Sequence, residues 1–133
     1  MVRTVIIEGN PSFRQELENI FYSRFPPIEL IVAPNGRIAM EKIETFPPDL
    51  SVINMKLPGE DSLELAQKIK SRHPNVIIII VSSYDLPEYR EAAYRNGADY
   101  FISKDSPIED YCSLIKSILT DRYLRTEGPN RGG

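Results

Sequence analysis

The sequence VIIIIV at residues 76–81 decides the predicted fold, because it places six β-branched residues in one unbroken run. β-Branched side chains favour extended backbone, and the preceding Pro74-Asn75 supplies a turn. A strand with one face in water alternates apolar and polar residues, whereas this run is apolar at every position. The run therefore predicts a strand in the middle of a parallel sheet, buried on both faces.

On both sides of this run, other short apolar segments alternate with stretches of helical periodicity. The predicted strands cover residues 5–7, 28–32, 50–53, 76–81 and 100–102. The predicted helix boundaries lie at Asn10-Pro11, Asn35-Gly36, Asp61, Asp85 with Pro87, Gly97 and Ser106-Pro107. The alternation predicts an α/β fold, an open five-stranded parallel sheet with five helices on both faces. Functional side chains in such folds lie at the carboxyl ends of the strands.

Apolar residues at helical spacing give the predicted core-facing positions of the helices. These positions are Phe13, Leu17, Ile20, Phe21, Ile38, Ala39, Ile43, Leu63, Ala66, Ile69, Ile108, Tyr111, Cys112, Ile115 and Leu119. The last helix places the lone Cys112 on its apolar side, where a thiol behaves as a small core side chain. From about residue 121 the apolar pattern fades. We therefore predict one domain over residues 1–120 and a polar tail or linker over residues 121–133.

Composition excludes several classes of function. The 133 residues carry 19 Asp and Glu against 16 Lys and Arg, a formal net charge of −3, which predicts no attraction to nucleic acid or to an anionic membrane. One Cys and one His exclude a disulfide framework and any multi-His or multi-Cys metal site. The strand ends lack glycine-rich phosphate loops and a G-x-S-x-G motif, so we expect no enzyme. The absence of a predicted signal peptide or membrane span indicates a cytoplasmic location.

Several stretches at the strand ends jointly resemble one family. They are NPSFR at 10–14, MKLPGED at 55–61, VSSYD at 81–85 and NGADYFISKD at 96–105. At these spacings the chain, from about Arg3 to Leu119, is similar to the receiver domain of two-component response regulators. The resemblance implies a flavodoxin-like fold. It also implies a place in phosphorelay signalling, in which a histidine kinase donates a phosphoryl group to an aspartate after the third strand.

The chain departs from the family pattern at the phosphoacceptor itself. The matching position is Asn54, and an amide is a poor nucleophile that cannot form an acyl phosphate. The family's pair of metal-binding acids matches Glu8 and Gly9, so a single acid is left in a vestigial acidic pocket. Mg²⁺ normally takes carboxylate or phosphate ligands, and we therefore predict weak or absent Mg²⁺ binding and no cofactor. Asn54 alone could be an engineered change, but the departures at Glu8 and Gly9 favour natural divergence.

The resemblance assigns the other half of the family site to three residues. Ser82 matches the switch hydroxyl, Phe101 the aromatic switch and Lys104 the lysine that binds phosphoryl oxygens. Without a phosphoryl group, we favour the interpretation of Ser82 as a plain strand-end hydroxyl with no switching role. We hypothesise that Lys104 forms an ion pair with Glu8 that fixes the pocket in one arrangement.

These observations lead to a prediction of a pseudo-receiver, an interaction module that is not switched by aspartyl phosphorylation. Two alternatives stay open. In the first, the domain binds a histidine kinase or a partner receiver competitively. In the second, the strand-end pocket binds a small ligand.

The expected partners are signalling proteins: a histidine kinase, another receiver or an output protein. Tyr89 and Tyr94 on the fourth helix are candidate interface residues, since tyrosine is enriched at interfaces. The face formed by the fourth helix, fifth strand and fifth helix is a candidate homodimer surface by the same resemblance.

Overall fold

The computed structural model describes residues 2–127, with side chains described for residues 2–121. Within this range the chain forms seven strands and five helices. The strands are β1 (Val2–Ile7), β2 (Ile28–Ala33), β3 (Leu50–Asn54), β4 (Lys56–Leu57), β5 (Glu60–Asp61), β6 (Ile77–Ser82) and β7 (Tyr100–Ser103). The helices are α1 (Pro11–Arg24), α2 (Gly36–Thr45), α3 (Ser62–Arg72), α4 (Pro87–Arg95) and α5 (Ile108–Glu127).

Five of the strands form one parallel sheet in the order β2-β1-β3-β6-β7. The apolar run at residues 76–81 supplies most of β6, which lies between β3 and β7 as predicted. Its side chains alternate between the two faces of the sheet: Ile78 and Ile80 pack on one face, and Ile79 and Val81 on the other. The prediction of a strand buried on both faces is therefore confirmed.

The helices cover both faces of the sheet, which confirms the predicted architecture. One core cluster receives side chains from α2, α3 and α4, including Ile43, Ile69 and Ala93. The cluster on the opposite face receives side chains from α1 and α5, including Phe21 and Ile115. Burying one such isoleucine or phenylalanine stabilises the fold by about 1.5–3 kcal/mol, so these two clusters hold the strand ends in place.

Three predicted helix boundaries are confirmed by a capping side chain or by a glycine with positive φ. Asn10 caps α1 by accepting from the backbone amides of Ser12 and Phe13. Asp61 caps α3 in the same way. Gly97 follows the end of α4 with φ of 100°, a left-handed conformation that side chains other than glycine rarely adopt.

Three predictions of local structure were wrong. Asp85 does not cap α4: Leu86 occupies the cap position without a side-chain hydrogen bond, and Asp85 forms an ion pair with Arg90. Ile108 is 57% exposed at the start of α5, and the first buried residue of that helix is Tyr111. The segment expected to be a loop at residues 54–60 contains a short antiparallel hairpin of β4 and β5.

Helix α5 continues through Glu127, past the predicted domain boundary at residue 120. The division into a domain at 1–120 and a tail or linker at 121–133 stays a prediction, and residues 128–133 lie outside the described residues. Within residues 2–127, no helix combines the length and the hydropathy needed to cross a membrane.

Candidate functional site

The carboxyl ends of β1 and β3 bring Glu8 and Asn54 into direct contact. These two strands are neighbours in the sheet, so the residues that end them lie side by side. The Asn54 Nδ2 atom donates a hydrogen bond to Glu8 Oε1 at 2.6 Å, and the Asn10 amide donates to Glu8 Oε2 at 3.0 Å. Glu8 is only 2% exposed. Both oxygens of this buried carboxylate are therefore satisfied within the protein.

Both ends of the Asn54 amide are engaged. Its nitrogen donates to Glu8, and its oxygen accepts from the Lys56 backbone amide at 2.9 Å. A hydrogen bond to a charged group contributes about 1.5–3 kcal/mol, roughly twice the value for a neutral pair. We call the Glu8–Asn54 contact the amide clasp. It joins the carboxyl ends of β1 and β3 through a direct side-chain hydrogen bond.

Gly9 lies beside the amide clasp with no ligand group of its own. Its φ is not positive, so the backbone here does not require glycine. A Cβ atom at this position would lie 3.4 Å from the Pro34 carbonyl oxygen and 3.7 Å from Pro58 Cδ, which are ordinary contacts. The site therefore has room for a Cβ atom at residue 9.

The residues at these strand ends do not fit a magnesium ion. The donors are one carboxylate, whose oxygens already accept two hydrogen bonds, and an amide whose nitrogen points at that carboxylate. Mg²⁺ requires near-octahedral oxygen donors and gives up its water reluctantly. One carboxylate that already accepts two hydrogen bonds is a poor replacement for that water. Among the described residues, no three acidic, histidine or cysteine side chains are grouped so that they could hold a metal ion.

Ser82 lies at the end of β6, and its hydroxyl is engaged locally. The Oγ atom accepts from the Tyr84 amide at 3.0 Å and donates to the Tyr84 carbonyl at 3.1 Å. These contacts fix the turn that leads from β6 toward α4. The structure brings Ser82 to the predicted strand end, and its role as a switch stays a prediction.

The predicted ion pair between Lys104 and Glu8 is wrong. The ion pairs formed within residues 2–121 do not include Lys104. Its ammonium group instead lies 4.8 Å from the centroid of the Phe13 ring, a cation–π contact. The Asn54 amide has taken the place on Glu8 that the lysine was expected to fill, because it reaches the carboxylate at hydrogen-bond distance.

The remaining predicted residues lie around α4. Phe101 is buried on β7, and the Arg90 guanidinium lies 4.7 Å above its ring centroid. Tyr89 and Tyr94 are both exposed on α4, whose one buried residue is Ala93. The helix thus presents most of its surface to solvent, and the interface role of Tyr89 and Tyr94 stays a prediction.

The sequence pattern did not reveal two contacts that shape the site. Arg14 donates to the Glu8 carbonyl at 2.8 Å, which brings a guanidinium close to the amide clasp. The Glu60 carboxylate, from the β4–β5 hairpin, accepts from the Gly36 amide at the start of α2, with both oxygens within 3.0 Å. The second contact ties the hairpin after Asn54 to a neighbouring helix. No local sequence pattern signals this second contact, because the two residues lie 24 positions apart.

The Gly36–Glu60 contact predicts that Gly36→Ala destabilises the fold by about 0.5–1.5 kcal/mol, because the new Cβ would displace the Glu60 carboxylate, break its hydrogen bonds and crowd Leu65. Gly9→Ala is the matched control, with an expected change within about 0.5 kcal/mol, because its Cβ meets only ordinary contacts. Urea unfolding measures both. Equal losses from the two substitutions would contradict the role given to Gly36.

Tyr111 gives a prediction about alkaline stability. Its hydroxyl donates to the Lys104 carbonyl at 2.8 Å. Burial raises the pKa of Tyr111 above its ordinary value of 10.0, helped by the negative charges of Asp105, Glu16 and Glu8. Above about pH 10 the unfolded chain releases this proton while the folded state keeps it, so the free energy of unfolding falls as pH rises.

We expect Tyr111→Phe to remove this part of the alkaline loss, while the lost hydrogen bond costs about 0.5–1.5 kcal/mol at neutral pH. Urea unfolding of both proteins from about pH 7 to pH 11 compares the two slopes above the ordinary tyrosine pKa. Identical alkaline slopes for variant and wild type would show that Tyr111 is not responsible.

Comparison with known proteins places the chain in a family. The model of the response regulator receiver domain matches residues 4–116. The Fimbriae Z protein of Salmonella typhimurium is 30% identical over 117 residues, which cover 87% of this chain and 55% of that protein. A cyclic di-GMP phosphodiesterase of Thermotoga maritima is 30% identical over 120 residues, which cover 90% of this chain and 32% of that protein. The chain thus spans about a third to a half of the length of these relatives.

The fold is also similar to that of solved receiver structures. A response regulator receiver domain protein (CheY-like) from Methanospirillum hungatei JF-1 superposes with a TM-score of 0.83 at 25% identity, covering 96% of this chain and 99% of that one. It supports the flavodoxin-like arrangement of five parallel strands and five helices described above. With the family model matching most of the sequence, the chain belongs to the response regulator receiver domain family.

Proposed function

We propose that this receiver domain is a signalling interaction module that works without aspartyl phosphorylation at residue 54. The observation that carries the proposal is the amide clasp, which places an uncharged group at the acceptor position and binds it to Glu8. The proposed role is binding a partner protein. It includes no catalysis by the domain itself.

The chemistry of phosphoryl transfer supports this proposal. The acceptor must be an anionic or activated nucleophile, and the charge on the transferring group needs a metal ion and a cation beside it. Asn54 supplies no anion, Gly9 supplies no metal ligand, and the Lys104 ammonium lies on the Phe13 ring. The lack of an anion at residue 54 and of a metal ligand at residue 9 supports a role that does not depend on phosphoryl transfer.

The partners that we propose are those of a phosphorelay: a histidine kinase, another receiver or an output protein, all reached in the cytoplasm. The exposed α4, with Tyr89 and Tyr94, supports a docking role for this side of the domain. The face formed by α4, β7 and α5 is also the surface that we propose for a homodimer. The proposal includes no binding of this domain to nucleic acid or to a membrane.

A titration followed by NMR tests the proposal on the wild-type chain. We expect the backbone amide spectrum to stay unchanged when Mg²⁺ and then acetyl phosphate are added. Residues at the strand ends, including Asn54, Ser82 and Phe101, are the diagnostic ones. Saturable shifts at these three residues with acetyl phosphate, absent with acetate at the same ionic strength, would contradict phosphorylation-independent action.

A further inference from the structure

Helix α4 has the fewest buried residues among the five helices within residues 2–127. Its nine residues bury one small side chain, that of Ala93. By contrast, α1 and α3 each bury four residues, α2 buries three, and α5 buries at least four. A helix of this length is marginal on its own in water, so it depends on tertiary contacts. The apolar side chains of α4 supply few of them.

Arg90 supplies a second attachment for α4. Its guanidinium lies 4.7 Å from the centroid of the Phe101 ring on β7, and it donates to the Asp85 carboxylate in the segment before the helix. Among the ion pairs formed within residues 2–121, Arg90 takes part in the one with Asp85 alone. The hydrogen bond to Asp85 raises the pKa of Arg90, with a smaller contribution from Tyr94. One guanidinium therefore connects α4 to β7 and to the preceding segment.

The Arg90 side chain lies at the boundary between water and the core. It is 41% exposed, while the Phe101 ring beneath it is buried and belongs to the same core cluster as Ala93. If α4 moved away from the sheet, the Phe101 ring would meet water. An exposed cation–π contact and an exposed ion pair each change an equilibrium by only a fewfold. Helix α4 is thus held closed by weak contacts, and regions with little buried apolar area are the ones that open locally.

We propose that α4 opens from the sheet as a separate unit and that Arg90, through its contacts with Phe101 and Asp85, is the latch that keeps it closed. The inference rests on the proposed function, because the closed helix holds Tyr89 and Tyr94 in place on the proposed docking face. The latch therefore sets the fraction of molecules that present this face. A partner that binds the closed helix shifts the equilibrium toward it, with no phosphoryl group required.

Native-state hydrogen exchange of the full chain tests the latch. In the wild-type chain, we expect the amides of residues 91–95 in α4 to exchange at least about a hundredfold faster than those of residues 66–69 in α3, relative to their intrinsic rates. Their exchange should also depend only weakly on urea, because local opening exposes little surface. Arg90→Ala should speed the exchange of residues 91–95 by about a further tenfold, because it removes both contacts of the latch.

Arg95→Ala is the matched control. Arg95 is exposed on the same helix, and the ion pairs formed within residues 2–121 do not include it. Both substitutions remove one positive charge and introduce alanine, which favours helix and so opposes faster exchange. Arg95→Ala should speed the exchange of α4 by less than about threefold, through the lost charge near the helix C-terminus. Asp85→Asn removes one of the two latch contacts and should give an acceleration of about threefold.

Three results would overturn the latch. The first is exchange of residues 91–95 at the rate and with the urea dependence of residues 66–69, which would mean that α4 opens only when the whole domain unfolds. The second is equal acceleration by Arg90→Ala and Arg95→Ala, and the third is no acceleration by Asp85→Asn. Failure of the proposed function has a different signature, namely amide shifts on addition of acetyl phosphate. The exchange experiments contain no phosphodonor, so the two failures are distinguishable.

Discussion

Asn54→Asp is expected to destabilise the domain by about 2–4 kcal/mol at neutral pH, because it replaces a hydrogen-bond donor by a second buried carboxylate. The Nδ2 atom lies 2.6 Å from Glu8 Oε1, and a carboxylate oxygen in its place would repel Glu8. The loss should shrink as pH falls, because a proton shared by the two carboxyl groups restores a hydrogen bond between them. Urea unfolding at several pH values measures the effect.

Mg²⁺ gives this prediction a second readout. Millimolar Mg²⁺ should recover part of the lost stability of Asn54→Asp, because two carboxylates now face the same space, and should leave the wild-type chain unchanged. Asn19→Asp is the control, since Asn19 is exposed on α1 and carries the same charge change. A loss no larger than that of Asn19→Asp would show that the amide clasp does not stabilise the fold.

The double variant Gly9→Asp with Asn54→Asp is expected to gain the reactivity that the wild-type chain lacks. Its two new carboxylates join Glu8 to give three acids at adjacent strand ends, a donor set suited to Mg²⁺. Residue 9 can carry a Cβ atom, because its backbone is not left-handed and the nearest neighbours of that atom would lie 3.4 Å away or more. With acetyl phosphate and Mg²⁺, intact mass spectrometry should detect a phosphoryl adduct that hydroxylamine removes.

Each single change serves as a control for the double variant. Gly9→Asp alone should give no adduct, because the nucleophile is still an amide. A folded double variant that binds Mg²⁺ and is not phosphorylated would contradict the explanation. It would mean that the position of Lys104 on the Phe13 ring, rather than the missing carboxylates, prevents phosphorylation.

The fold was predictable because its signals are local and repeated. The apolar run at residues 76–81 has one stable location, the centre of a sheet covered on both faces. Asn10, Asp61 and Gly97 each match a helix terminus by their own chemistry. The alternation of strands and helices predicted a parallel sheet, and this topology already implied that Glu8 and Asn54 lie close together at the strand ends.

Side-chain partners at the site were less predictable, since several partners were within reach of each group. Lys104 has a flexible stem, and its position on Phe13 depends on how α1 packs against the sheet. Glu60 reaches Gly36 across 24 residues of sequence, and no local pattern encodes that distance. An aspartate at residue 85 is compatible with two roles, a helix cap and an ion pair. In the structure it forms an ion pair with Arg90.

The most direct test of the central claim is intact mass spectrometry of the wild-type chain after incubation with acetyl phosphate and Mg²⁺ at neutral pH. The amide at residue 54 predicts a spectrum identical to that of the untreated protein, while the Gly9→Asp, Asn54→Asp double variant treated in parallel gains an adduct. A hydroxylamine-labile phosphoryl adduct on the wild-type chain would show that it still accepts a phosphoryl group, and would contradict the account.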